Sequence, residues 1–136
     1  MDLYTTLRNM HLLIIDDDQW VRDSLKLFFE SEGCRTVALE TAEEGLVQAA
    51  AQPFDILFVD YRLPGMDGLE FVKHLPGSCG AAVKVLFTAY GHDGLKQQAL
   101  QSGFDAFITK PFTTDMIEDS LKHLLADRNR ATGKKP

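Results

Sequence analysis

Apolar runs of strand length alternate along the chain with stretches whose apolar residues recur at helical spacing. Because polar residues rarely interrupt the runs, they indicate strands that are buried on both faces, as in a parallel sheet. The five runs are Leu12–Ile15, Arg35–Leu39, Ile56–Val59, Val83–Phe87 and Ala106–Ile108. The second run is more polar than the others and suits a sheet edge. The alternation predicts an α/β fold with a five-stranded parallel sheet and helices on both faces.

Signals for helix ends lie between the predicted strands. Asp18 is placed to cap the helix that follows the first strand, and Thr41 with Glu44 forms a capping box before the next helix. Gly33 and Gly103 follow helical stretches as stop signals. These signals support the same alternation of strands and helices.

Length and composition fit one globular domain. The chain has 136 residues, of which 45% are hydrophobic, which is enough for a single core. We expect the domain to span residues 11–127. Residues 1–10 match neither period and form an extension of unknown role, and residues 128–136 form a basic tail or the start of a linker.

The net charge of -6 is unevenly distributed. Four of the 14 basic residues lie in 128–136, so residues 1–127 hold the other 10 against 20 acidic residues. This acidic body argues against direct nucleic-acid binding, since phosphate contacts need clustered lysine and arginine. The chain shows no membrane-spanning run or signal segment, and Cys34 and Cys79 lack zinc or disulfide spacing, so we expect a cytoplasmic protein without membrane association.

Polar groups of three kinds follow the apolar runs at the points where the strands end. They are Asp16 and Asp17 after the first run, Asp60 after the third, Thr88 after the fourth and Lys110 after the fifth. Because parallel strands end at one edge of a sheet, we expect these side chains to line a shared crevice. Acids, a hydroxyl and an amine together are what a phosphoryl-transfer site with a divalent cation requires.

Clustered carboxylates repel one another unless they are protonated or neutralised by a cation. Magnesium, with manganese as an alternative, suits Asp16, Asp17 and Asp60 because it prefers oxygen ligands. Asp60 ends the central strand and is the candidate nucleophile for an acyl phosphate. Lys110 would supply positive charge to the phosphoryl oxygens, and Thr88 a hydrogen-bond donor. Each residue alone is more often an ordinary surface or strand residue, but the joint arrangement favours a site.

These residues and their order resemble the receiver domains of two-component response regulators. The match covers residues 11–126 and depends on four segments: IIDDD with Asp16 and Asp17, VDYRLPGMDG with Asp60, FTAYG with Thr88, and FITKPF with Lys110 and Pro111. Each segment alone is a weak signal, but the four in this order are highly specific. The resemblance implies a flavodoxin-like, doubly wound fold with strand order 2-1-3-4-5.

The resemblance also implies a role for each site residue. Asp60 would accept a phosphoryl group from a sensor histidine kinase or a histidine phosphotransfer protein. The receiver would catalyse its own phosphorylation and dephosphorylation without turning over a separate substrate. Asp17, Asp60 and the backbone carbonyl of Arg62 would ligate magnesium directly, while Asp16 would act mainly through water.

The switch and the output follow from the same resemblance. Thr88 would move toward the phosphoryl group, and Phe107 would turn inward to fill the vacated space. The face built from the fourth helix, fifth strand and fifth helix of the five repeating units would then change shape. A downstream protein or an output domain would recognise this face, and a homodimer is an alternative.

Arg62 and Tyr90 lie two residues beyond Asp60 and Thr88, at positions that flank the path of attacking water in this family. Both side chains are long. We hypothesise that they obstruct water and lengthen the phosphoryl lifetime. The alternative is that both point into solvent.

Other functions remain open from the sequence. A haloacid-dehalogenase-like phosphatase would use Asp16 as its nucleophile and Asp18 to complete a DxD motif, but Gln19 and Trp20 stand where that family has small residues. A degenerate receiver would act only as a protein-interaction module, against which the intact set of site residues argues. A flavodoxin-like flavin binder would share the fold, but no Ser/Thr/Gly-rich phosphate loop follows the first strand.

Overall fold

The computed structural model describes residues 3–89 and 91–131, with residues 127–131 as backbone alone. Within these residues the chain forms five strands and six α-helices. The strands are β1 (His11–Ile15), β2 (Arg35–Leu39), β3 (Ile56–Asp60), β4 (Val83–Thr88) and β5 (Ala106–Thr109). The helices are α1 (Leu3–Leu7), α2 (Gln19–Ser31), α3 (Ala42–Ala51), α4 (Gly68–Lys73), α5 (Leu95–Ser102) and α6 (Thr114–Ala131), and a 3-10 turn covers Gly77–Cys79.

The five strands form one parallel sheet in the order β2-β1-β3-β4-β5, as predicted. The register pairs Ile15 with Val59, Asp60 with Phe87 and Thr88 with Thr109. The strands therefore end nearly level, and the residues at or just after their carboxyl ends share one edge of the sheet.

Helices cover both faces of the sheet, because successive strand residues point to opposite sides. Leu12 and Ile14 pack on one side with α1, α2 and α6, whereas Leu13 and Ile15 pack on the other with α3, α4 and α5. These four β1 side chains are fully buried. The two-sided burial explains why the central strands are apolar without alternation.

The predicted helix-end signals are confirmed. The Asp18 carboxylate caps α2 by accepting hydrogen bonds from the amides of Trp20 and Val21. Thr41 and Glu44 form the capping box of α3. Gly103 ends α5 with φ of 118°, a left-handed conformation that glycine adopts without strain.

The N-terminal extension contains a helix that periodicity did not reveal. Leu3 and Leu7 of α1 are buried in the core on the side of α2 and α6. The Tyr4 hydroxyl donates a hydrogen bond to the Glu118 carboxylate of α6, and the Cys34 thiol donates one to the carbonyl of Leu7. A five-residue helix with two apolar positions is too short to give a recognisable period.

The C-terminal segment falls partly within α6. The backbone is helical through residue 131, so the first four residues of the predicted tail belong to this helix. Residues 132–136 lie outside the described residues, and the role of the segment as a linker start stays a prediction. No described helix has the length and apolar composition that crossing a membrane requires.

Both cysteines are buried thiols without a disulfide. Burial, together with the charges of Glu32 and Asp55, raises the pKa of Cys34 to about 11. The thiolate is the reactive form, so Cys34 is unreactive near neutral pH.

Candidate functional site

The carboxyl edge of the sheet, defined here by Asp16, Asp17, Asp60, Thr88 and Lys110, collects the residues that the sequence singled out. Asp60 and Thr88 are the last residues of β3 and β4, whereas Asp16 and Lys110 directly follow β1 and β5. The Lys110 amide donates a hydrogen bond to the Thr88 carbonyl at 2.9 Å, which extends the pairing of the last two strands.

Lys110 joins two carboxylates from different strands. Its ammonium nitrogen Nζ lies 2.6 Å from Asp16 Oδ2 and 3.2 Å from Asp60 Oδ2. The Phe87 ring centroid lies 5.5 Å from Nζ, within range of a cation–π contact. The peptide bond from Lys110 to Pro111 is cis. One cation therefore holds the ends of β1 and β3 together from the end of β5.

Asp16 is held on both of its carboxylate oxygens. Oδ2 accepts from Lys110, and Oδ1 accepts from the backbone amide of Asp18 at 2.9 Å. The Arg22 guanidinium on α2 donates to the Asp16 backbone carbonyl at 2.8 Å. The Asp16 residue is fully buried, so these bonds replace the water that its charge has lost.

The three carboxylates of the site lie close enough to share a cation. One oxygen from each of Asp16, Asp17 and Asp60 lies within 4.8 Å of the other two. Asp17 is exposed, whereas the other two are buried. An all-oxygen set that is open on one side fits magnesium, which takes one or two carboxylates and keeps several waters.

The pKa values of Asp60 and Lys110 reflect the burial and the close charges of this site. Burial and the neighbouring Asp16 charge raise the pKa of Asp60 to about 6, although the charge and hydrogen bond of Lys110 and the backbone amide of Arg62 act to lower it. Burial also acts to lower the pKa of Lys110, but its bonds and charge interactions with Asp16 and Asp60 outweigh burial, so the pKa of Lys110 is raised. Lys110 therefore stays cationic at neutral pH.

Thr88 and Phe107 lie on neighbouring strands near the site. Thr88 is fully buried, whereas Phe107 is half-buried. Phe107 borders an open depression of about 490 Å³ that is lined mainly by the segment between β4 and α5 and by α5 itself. The ring thus faces free volume on the side of α5.

Two further residues were predicted to tune the lifetime of a phosphoryl group. Arg62 lies in the loop after β3; its backbone amide bonds to Asp60, and its side chain is exposed. Tyr90 lies outside the described residues. Trp20, at the start of α2, is 75% exposed and does not belong to the core.

Sequence reasoning missed the role of Arg22. Its guanidinium fixes the backbone at Asp16 from the second turn of α2. A basic residue six positions after an acid carries no motif, because the contact depends on how α2 leaves the sheet. No pattern in the chain would have identified it.

Comparison with known proteins gives the class of this fold and site. The family model described as response regulator receiver domain matches residues 12–122. The chain belongs to this family and is a receiver domain of two-component response regulators. Receiver domains generally bind Mg²⁺ through an acidic pocket and interact with histidine kinases or phosphotransfer proteins, and this chain has a cluster of three Asp residues at the carboxyl edge of the sheet.

Individual relatives differ in how much of their own length this chain covers. The chain is 32% identical over 93% of its length to the KDP operon transcriptional regulatory protein KdpE of Escherichia coli (strain K12), of which it spans 56%. It is 29% identical over 88% of its length to sporulation initiation phosphotransferase F of Bacillus subtilis (strain 168), of which it spans 96%. The chain therefore covers about half of one relative and almost all of the other.

A solved structure confirms the fold. The CheY-like response regulator receiver domain protein from Methanospirillum hungatei JF-1 matches with a TM-score of 0.84 and 28% identity, over 90% of this chain and 98% of that one. The family match also decides against the phosphatase and flavin-binding alternatives.

Proposed function

We propose that Asp60 is the phosphoacceptor of this receiver and that its phosphoryl donor is the phosphohistidine of a sensor histidine kinase or phosphotransfer protein. The observation that carries the proposal is the position of Lys110 between Asp16 and Asp60 at the carboxyl ends of buried strands. This arrangement supplies a nucleophile and a fixed positive charge for phosphoryl oxygens at one point.

The carboxylates of Asp16, Asp17 and Asp60 and the backbone carbonyl of Arg62 are the proposed magnesium ligands. When bound, magnesium would neutralise the like charges and the negative charge of the phosphoryl group. The proposal is supported by the all-oxygen donor set and by the raised pKa of Asp60, which reflects burial and the neighbouring charge of Asp16.

The reaction needs little covalent chemistry from the protein. An ionised Asp60 oxygen attacks phosphorus, the bond from phosphorus to the histidine nitrogen breaks, and an acyl phosphate forms on Asp60. The leaving imidazole takes its proton from solvent. Lys110, held beside Asp60 Oδ2, pairs with the phosphoryl oxygens, and its raised pKa keeps it charged for this task.

The output is proposed to travel through Thr88 and Phe107. The Thr88 hydroxyl would bond to the phosphoryl group, and Phe107 would turn inward as Thr88 moves. Phe107 is half-buried between the core cluster on the side of α3, α4 and α5 and the open depression, so an inward turn would bury its ring further. The face of α5, β5 and α6 would then bind a downstream protein, an output domain or a second copy of the chain.

Treatment with acetyl phosphate, with and without magnesium, tests the proposal. Intact mass should show one phosphoryl group on the wild type only with magnesium. Asp60→Asn should remove the label, whereas a label on Asp16 in place of Asp60 would contradict the assignment. A wild type that binds magnesium in calorimetry but takes no label from acetyl phosphate or a phosphohistidine donor would also contradict it.

A degenerate receiver is the remaining alternative. It would take no phosphoryl group and would bind no magnesium. Isothermal titration of the wild type with Mg²⁺ separates the two, because a flat titration favours a pure interaction module.

Arg62 and Tyr90 are proposed to slow hydrolysis by standing in the path of water. Arg62→Ala and Tyr90→Ala should shorten the phosphoryl lifetime by a few-fold each. The measurement is the decay of phosphorylated protein after the donor is removed. Unchanged decay in both variants would end the hypothesis.

A further inference from the structure

The loop between β3 and α4 carries the backbone of Arg62, and both of its ends are fixed. The Tyr61 amide donates to the Phe87 carbonyl at 3.0 Å, and the Gly68 amide donates to the Tyr61 carbonyl at 2.9 Å. Asp67 caps α4 by accepting from the Glu70 amide at 2.9 Å. These bonds hold the loop where it leaves the sheet and where it enters the helix.

A third anchor comes from a different helix. Glu43, on the first turn of α3, accepts a hydrogen bond through Oε2 from the backbone amide of Met66 at 3.2 Å. Residues 43 and 66 lie on opposite sides of β3 in the sequence, so this bond ties the middle of the loop to a separate element. It is a charge-assisted bond, which is stronger than a neutral one.

Gly65 provides a second, independent sign that the loop accommodates the Glu43 carboxylate. Gly65 has φ of 76°, a left-handed conformation that is unfavourable for residues other than glycine. A Cβ atom at Gly65 would lie 2.9 Å from Glu43 Oε2, so a side chain there would push the carboxylate away. The glycine thus permits both the turn and the close approach.

We propose that Glu43 is a positioning residue that sets the magnesium affinity of the site by holding the loop that presents Arg62. The inference depends on the proposed function. The Arg62 amide bonds to Asp60, and its carbonyl is a proposed metal ligand. Glu43 does not belong to the carboxylate cluster itself, so its influence on magnesium runs through Met66 and the loop backbone.

Three variants separate the bond from the charge. Glu43→Ala removes both, Glu43→Gln keeps an oxygen acceptor without the charge, and Glu40→Ala removes an exposed negative charge just before the same helix. Losing one hydrogen bond should raise the Mg²⁺ dissociation constant of Glu43→Ala about three- to tenfold. Glu43→Gln and Glu40→Ala should each stay within about twofold of the wild type, since exposed charges are screened.

Two measurements are needed because one depends on the metal and the other does not. Calorimetric titration with MgCl₂ gives the dissociation constant. Hydrogen exchange of the Met66 amide in metal-free protein reports the bond directly, and we expect faster exchange in Glu43→Ala but near wild-type exchange in Glu43→Gln. Circular dichroism confirms that each variant is folded.

The inference is overturned if the Met66 amide hydrogen exchanges equally fast in the wild type and Glu43→Ala. It is also overturned if Glu40→Ala and Glu43→Ala have the same effect on the magnesium dissociation constant. Failure of the proposed function looks different. In that case the wild type itself binds no magnesium, while Met66 exchange still depends on Glu43.

Discussion

Aspartates lie at both edges of the sheet, and the two edges use them in opposite ways. At the amino edge, defined here by Asp55 and Asp105, each carboxylate precedes a strand and accepts a backbone amide of the neighbouring strand. Asp55 accepts from the His11 amide at 2.9 Å, and Asp105 accepts from the Lys84 amide at 2.8 Å. At the carboxyl edge, three carboxylates instead lie within 4.8 Å of one another.

The partners therefore decide the role of a carboxylate. The amino-edge aspartates join the ends of adjacent strands, as part of the hydrogen bonding that folding requires. The carboxyl-edge aspartates are held together against their mutual repulsion, a strained arrangement typical of functional sites. Fold stability and phosphoryl chemistry should accordingly respond to different aspartates and to different lysines.

Lys110→Met gives the largest expected effect at the carboxyl edge. We expect labelling by acetyl phosphate to slow on the order of 10- to 100-fold, because a preorganised charge for the phosphoryl oxygens is lost. The pKa of Asp60 should rise further above about 6, since Lys110 acts to lower it. Labelling rates and carboxyl ¹³C titration of metal-free protein measure the two effects.

Lys84→Met is the matched control from the amino edge. Lys84 is buried and Lys110 is half-buried, but Lys84 Nζ donates to the backbone carbonyl of Ala82 at 2.9 Å. Its loss should alter stability while the labelling rate stays near that of the wild type. Equal slowing in both lysine variants would show that the division between edges is wrong.

Asp55→Ala tests the amino edge. The amide of buried His11 would lose its carboxylate acceptor, so the free energy of unfolding should fall by about 1–3 kcal/mol. Urea denaturation measures this loss. Phosphoryl labelling should remain that of the wild type at a temperature where the variant is folded, and a large drop in labelling would contradict the comparison.

The sequence predicted the carboxyl edge better than the amino edge, for a physical reason. Parallel strands must end together, so polar residues that follow apolar runs converge whatever the details of packing. This is why Asp16, Asp60 and Lys110 could be placed together in advance. The strand order also followed, because the family resemblance fixes how the units wind.

What the sequence could not predict are contacts between elements that share no pattern. Asp55 and Asp105 read as ordinary loop acids, and Glu43 reads as a helix-start acid, until the neighbouring backbone is in place. Leu3 and Leu7 show only one helical interval, so α1 gave no period. Each of these contacts depends on the relative position of two elements, which propensity and periodicity do not encode.

A pH series on Asp60→Asn sharpens the energetic side of the comparison. The pKa of Asp60 is raised from 3.8 to about 6 in the folded protein, so its favourable contribution is complete below about pH 4 and is lost as the pH rises through about 6. In metal-free buffer, Asp60→Asn should therefore gain stability relative to the wild type across this window, by roughly 2–3 kcal/mol. Denaturation midpoints at intervals from pH 4 to pH 8 measure it.

The same series on Asp55→Asn provides the contrast. Asp55 lies outside the carboxylate cluster, so this variant is the reference for a substitution that does not touch the site. If the stability curves of the wild type and Asp60→Asn run parallel over the whole range, the repulsion assigned to the carboxyl edge is absent.

The smallest expected effect is optical. Trp20 is the single tryptophan of the chain, and its ring is 75% exposed at the start of α2. Its backbone amide donates to the Asp18 carboxylate at 2.8 Å, and the Asp18 amide donates to Asp16 Oδ1 at 2.9 Å, so two hydrogen bonds link the backbone that carries the ring to the site. We expect magnesium to change Trp20 fluorescence by a small, saturable amount with the dissociation constant found by calorimetry.

Variants from the two edges decide what the signal means. Asp17→Asn removes the exposed carboxylate of the cluster and should flatten the titration, whereas Asp55→Ala should leave it intact. A flat response in the wild type despite calorimetric binding would show that the start of α2 does not sense the site. A fluorescence response that persists in Asp17→Asn but disappears in Asp55→Ala would contradict the assignment of the two edges. The effect of magnesium on Trp20 would then depend on the amino-edge carboxylate and not on the carboxylates near the start of α2.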